Sequence, residues 1–142
     1  MKVCDLMCDH VISISPQEPV TSAARLLREQ NIGALPVCGD SGELCGVITD
    51  RDIVTRCVAA GGSPGEMTVG DVMTAGVVTV SPFVPSGEAA RKMADAQIRR
   101  LPVCNNGELV GMISLGDLAR SRDCGMEAAA ALSEISGNVH RK

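Results

Sequence analysis

Two short segments hold the residues best suited to chemistry. GVITDRD, Gly46 to Asp52, and GMISLGD, Gly111 to Asp117, each place a hydroxyl residue three positions before an Asp where a strand pattern gives way to a helix pattern. A carboxylate at that point accepts both hydrogens of a vicinal diol, while Thr49 or Ser114 and the N–H groups of the helix start take a phosphate. The combination suits a ribose and its phosphate. The same spacing also suits an Asp that caps a helix, a role that needs no ligand. No Ser/His/Asp or Cys/His set stands out, and the two Asp residues lie in separate segments, so catalysis has little support.

The two segments are parts of a longer repetition. Val3, Asp5 and Met7 recur as Val69, Asp71 and Met73, and Ser15, Pro16 and Pro19 as Ser81, Pro82 and Pro85. Ile32, Leu35, Pro36, Val37 and Cys38 recur as Ile98, Leu101, Pro102, Val103 and Cys104; after a one-residue deletion near Ser41, Gly42 to Asp52 matches Gly107 to Asp117. Each copy is too short to bury a core alone, so the pair forms a pseudo-symmetric unit.

Each copy reads alike. A brief strand, Val11 to Ile14 or Val77 to Val80, is closed by Ser-Pro. A helix follows, with Pro19 or Pro85 at its start and Val20, Ala23, Ala24 and Leu27, or Ala89, Ala90, Met93 and Ala96, on one face. A hairpin then runs ALPVC to ELCGVI, or RLPVC to ELVGMI, and the second carries an Asn-Gly turn signal. Asp52 and Asp117 open the closing helices. The expected fold is α/β, two β-α-β-β-α repeats packed sheet to sheet with clefts between them. Residues 1–60 form the first repeat, 61–67 a Gly-rich linker, 68–122 the second repeat, and 123–142 a C-terminal helix and tail.

Composition narrows the partners. One Phe and no Tyr or Trp leave no aromatic platform for bases, and a net charge of -4 lacks the basic patch that duplex binding requires. Nucleic acid is not expected as a partner. No run approaches the roughly 18 apolar residues of a membrane span. MKVCDLMCDH has no signal-peptide core, so the expected location is cytoplasmic. Seven Cys in such a chain read as reduced and mostly buried thiols rather than a disulfide framework. Cys4, Cys8 and His10 do not make a recognised zinc spacing, while Cys38 and Cys45 flank one hairpin.

With LPV at Leu35 to Val37 and Leu101 to Val103, two GELxGxI runs, and the endings TDRD and SLGD, the chain resembles a tandem pair of cystathionine-β-synthase (CBS) domains, the Bateman module, from about Val3 to Arg120. The layout is similar to small stand-alone bacterial pairs. The resemblance implies a non-enzymatic regulatory module that needs no cofactor and binds AMP, ADP, ATP or S-adenosylmethionine. It also implies a homodimer that signals to a client protein the sequence does not name. Asp117 with Ser114, and Asp52 with Thr49, take the ribose and phosphate roles. Ile12, Ile32 and Gly33 are implied as adenine contacts for the cleft of Asp117, and Val78 and Ile98 for that of Asp52. Arg99 and Arg100 stand where related modules put basic residues on the phosphate, so tighter anion binding is expected at Asp117; Arg51 offers a further contact at Asp52. Gly116, where the family often has a hydroxyl or basic residue, leaves Ser114 as the side-chain hydroxyl of the second copy. Two alternatives stand beside this reading: a ligand-free dimeric stress or scaffolding protein, and a thiol-based metal- or redox-responsive module.

Overall fold

The computed structural model describes residues 1–120. In chain order the elements are α1 (Val3–Leu6), α2 (Val20–Gln30), β1 (Ala34–Cys38), β2 (Leu44–Thr49), α3 (Asp50–Asp52, continued by a π-helix over Ile53–Val58), α4 (Val69–Val72), α5 (Ser86–Ala96), β3 (Arg100–Asn105), β4 (Glu108–Ser114) and α6 (Leu115–Ala119). The expected α/β fold with two small sheets is present. The C-terminal helix expected after residue 122 lies outside the described residues.

The described residues divide into two compact units that do not coincide with the sequence repeats: Ile12–Val77 form one, and Met1–Val11 with the described residues from Val78 form the other. In the Ile12–Val77 unit, Val20, Ala23 and Leu27 of α2 pack with Leu35, Val37, Ile48, and Val69 and Val72 of α4. In the other unit, Ala89, Ala90 and Met93 of α5 pack with Leu101, Val103, Ile113, and Val3 of α1. The helix and strand periods of the sequence therefore reappear as buried faces. The leading helix of each sequence repeat is buried in the unit built on the other repeat's hairpin.

Each sheet is an antiparallel hairpin, β1 with β2 and β3 with β4, with a register shift at the same place in both, Val37/Cys38 and Val103/Cys104. The Asn-Gly turn forms as its composition predicts, with Asn106 and Gly107 both at positive φ (52° and 83°). The brief strands expected over Val11 to Ile14 and Val77 to Val80 shrink to single parallel bridges, Ile14 to Val37 and Val80 to Val103. Proline explains the correction. Pro36 and Pro102 accept the Ile14 and Val80 N–H groups through their carbonyls (3.0 and 3.1 Å), but neither has the N–H that a longer ladder would need.

The outer edge of each hairpin is closed by the segment after the short leading helix. Thr74 exchanges two backbone hydrogen bonds with Val47 (3.0 and 2.9 Å), and Cys8 two with Met112 (2.8 and 2.9 Å). Gly46 and Gly111, the glycines of the repeated Gly-x-Ile, permit this approach: a Cβ at Gly46 would stand 2.5 Å from the Thr74 carbonyl oxygen, and one at Gly111 2.8 Å from that of Cys8. The residues ahead of the same short helices complete the starts of the long helices. Pro19 and Pro85 occupy N-cap positions without a side-chain acceptor. The carbonyls of Met67 and Met1 accept instead from Val20 and Ser86 (both 2.9 Å).

Among the described cysteines only Cys57 is buried; Cys4 and Cys8 are exposed, and Cys38, Cys45 and Cys104 are intermediate. The expectation of mostly buried thiols is corrected, because these residues fall on strand ends and edge segments rather than on core faces. Partial burial pushes the Cys38 thiol above its ordinary pKa, and the Ser13 hydroxyl opposes that rise.

Candidate functional site

The two Asp residues enter the structure as helix-start residues, although not as the N-caps that spacing suggested. Thr49 and Ser114 are the N-caps, with extended backbone, and each Asp lies three positions inside, closing a reciprocal capping box. Asp52 N–H donates to Thr49 Oγ1 (3.0 Å) and Thr49 N–H donates to Asp52 Oδ2 (3.1 Å). Asp117 N–H donates to Ser114 Oγ (3.1 Å), and Ser114 N–H to Asp117 Oδ2 (2.9 Å). A hydroxyl at N-cap and a carboxylate at N3 each satisfy an N–H that the helix cannot, which is why the motif spans three residues. Capping and ligand binding are compatible. A carboxylate offers about four acceptor positions, so one N–H leaves most of them for a diol and fixes the group's orientation.

The hairpins then place the residues that precede LPV beside these boxes. Ala34 is the cross-strand partner of Thr49, and Arg100 that of Ser114. Asp50 N–H donates to the Gly33 carbonyl, and Leu115 N–H to that of Arg99, both at 3.0 Å. One half-site therefore contains Arg99, Arg100, Ser114 and Asp117; the other contains Gly33, Thr49, Arg51 and Asp52. Ile98 shares a unit with Asp117, as does the exposed Val78, whereas Ile32 and the exposed Ile12 share a unit with Asp52. Register decides this grouping: the residues next to LPV stay with the Asp of their own copy.

The half-sites differ in charge and in prior engagement. Arg99 and Arg100 are exposed and have no carboxylate partner among the described residues. Asp117 Oδ1 is held by the guanidinium of Arg120, whose side chain is 74% exposed. Asp52 is 8% exposed. Both its oxygens accept from the Thr74 hydroxyl at 3.4 Å, and Arg56 stands 3.9 Å away while donating to the Val72 and Met73 carbonyls (3.1 and 2.9 Å). Asp50 completes the contrast. Its carboxylate lies over Gly33, with Oδ2 3.6 Å from where a Cβ would be, and accepts from Arg51 N–H (2.8 Å).

Thr74, Arg56, Asp50 and Arg120 were not singled out from the sequence. Asp50 had a signal, because it aligns with Leu115 and so breaks the repeat at a helix start. Thr74 had none, since its partner in the repeat is Cys8.

The CBS domain family model matches residues 3–59 and 69–123. The chain is 40% identical over 139 residues to the CBS domain-containing protein YhcV of Bacillus subtilis, covering 97% of this chain and 98% of that protein. Its fold is similar to a crystal structure of Hypoxic Response Protein I with two coordinated zinc ions, at TM-score 0.78 and 38% identity, covering 84% and 98% of the two chains. It is also similar, at TM-score 0.73 and 28% identity over 84% of this chain and 94% of the other, to a CBS domain pair in complex with 5′-methylthioadenosine and S-adenosylmethionine.

Proposed function

This chain belongs to the CBS domain family, and from that premise we propose that it is a non-catalytic sensor of adenosine-containing ligands. The observation that carries the reading is the half-site of Arg99, Arg100, Ser114 and Asp117, where the backbone of two exposed arginines without a carboxylate partner among the described residues pairs with the segment that holds the oriented carboxylate and its hydroxyl. Arginine pairs with phosphate oxygens through charge-assisted bonds, and the carboxylate suits a ribose diol. That half-site favours AMP, ADP or ATP. The adenine contacts of Ile12, Ile32, Gly33, Val78 and Ile98 belong to the same proposal. So do the cytoplasmic location and an unnamed client protein that responds to occupancy; no described helix is long and apolar enough to cross a membrane. Occupancy can signal only if the ligand binds two states unequally.

A thermal-shift panel of AMP, ADP, ATP, S-adenosylmethionine, 5′-methylthioadenosine and zinc tests the reading. An adenosine ligand at about 100 times its dissociation constant should add roughly 2.7 kcal/mol of stability. No shift with any adenosine compound overturns the proposal, and a response to zinc alone favours the thiol-based alternative. Among the described residues no three His, Cys, Asp or Glu side chains gather as a metal site.

A homodimer is part of the proposal. Val54 and Val58 stand one helical turn apart and are 58% and 59% exposed, an apolar pair suited to coverage by a second copy. Sedimentation should return a dimer that Val54→Lys weakens; a monomer at micromolar concentration overturns this part.

A further inference from the structure

We propose that Asp50 sets the ligand class of the half-site containing Gly33, Thr49 and Asp52, turning away a 5′-phosphate and favouring an adenosine derivative with positive charge at its 5′ substituent. The inference rests on the adenosine-binding reading and deepens it. The two half-sites share one backbone frame: Asp50 N–H bonds the Gly33 carbonyl as Leu115 N–H bonds that of Arg99, both at 3.0 Å. On that frame the side chains invert the charge. Where the second copy has a guanidinium and an apolar side chain, the first has no side chain and a carboxylate. The carboxylate lies against Gly33, in van der Waals reach of where a Cβ would stand (3.6 Å), and accepts from the Arg51 N–H (2.8 Å).

AMP carries its phosphate on the 5′ carbon, and S-adenosylmethionine carries a sulfonium on the same carbon. A carboxylate near that carbon repels the first and attracts the second, and the solvent exposure of Asp50 reduces both effects without reversing them. Asp52, already accepting from Thr74, adds negative charge. Arg51, and Arg56 at 3.9 Å from Asp52, oppose the trend, so the experiment must separate them from Asp50.

The test is calorimetric titration of the full chain with AMP and with S-adenosylmethionine, in an Asp117→Ala background that silences the other half-site, with and without Asp50→Asn. Asn keeps the shape and the acceptor for Arg51 N–H. The Asp117→Ala protein should prefer S-adenosylmethionine, and Asp50→Asn should shift the ratio of the two dissociation constants by about 10-fold toward AMP, an effect that shrinks as salt rises. A ratio unchanged by Asp50→Asn overturns the inference and assigns the preference to Arg51 or to shape. Binding by the unmodified chain but none by Asp117→Ala also overturns it, leaving the sensor reading intact. Absence of binding by the unmodified chain overturns both.

Discussion

Asp117→Ala should remove most of the stabilisation that AMP or ATP confers, leaving about 0.4 kcal/mol where the unmodified protein gains roughly 2.7 at the same ligand concentration. The figure follows from losing the ribose acceptor. Hydrogen bonds to a charged group contribute about 1.5 to 3 kcal/mol each, so the dissociation constant rises by roughly 100-fold. The variant also loses one arm of its capping box, because Asp117 Oδ2 accepts from Ser114 N–H at 2.9 Å. That loss costs about 1 kcal/mol without ligand, so the ligand-induced shift must be measured against each protein's own baseline. Asp117→Asn separates the two effects, since its amide oxygen can still accept the Ser114 N–H while the charge is gone. Asp52→Ala should change AMP binding far less, because Thr74 and Asp50 already make that half-site a poor anion site. A full AMP shift retained by Asp117→Ala would falsify the assignment of Asp117.

Gly111→Val should destabilise the fold by about 4 kcal/mol and lower the melting midpoint by about 10 °C or more. Its Cβ would meet Met7 Sδ at 2.7 Å and the Cys8 carbonyl oxygen at 2.8 Å. The Met7 side chain can move. The carbonyl cannot, because Cys8 is bound to Met112 in both directions, and relieving the clash breaks two backbone hydrogen bonds and loosens Met7 from the core. Gly87 supplies the contrast. It lies in α5, where an added Cβ meets nothing within 4 Å, so Gly87→Ala should be neutral or stabilising by up to about 1 kcal/mol. If Gly111→Val melts with the unmodified protein, the leading segment does not close that sheet edge. Gly46→Val should behave alike, since its clash with the Thr74 carbonyl is closer still.

Much of this was legible in the chain. Leu35, Val37, Leu101 and Val103 repeat because they face cores, and the hydroxyl-to-Asp spacing repeats because a capping box requires it. Composition also marked the inequality of the copies, through Arg99 and Arg100 against Gly33 and Ala34. The sequence did not show that Asp caps from N3 rather than as N-cap. Both assignments put an acceptor at the helix start, and only backbone angles distinguish them.

What the sequence determined by itself was local: helix faces, the hairpin turn, the core strands and the two candidate Asp residues. All of these depend on periodicity, turn chemistry and capping within about a dozen residues. Only the tertiary structure decided which segment completes which unit. Edge pairing of Cys8 with Met112 and of Thr74 with Val47 depends on backbone groups that every residue except proline carries, so no side-chain pattern announces it. The same holds for Asp50 over Gly33. A glycine and an aspartate far apart in sequence become one charged feature only when a hairpin brings them together.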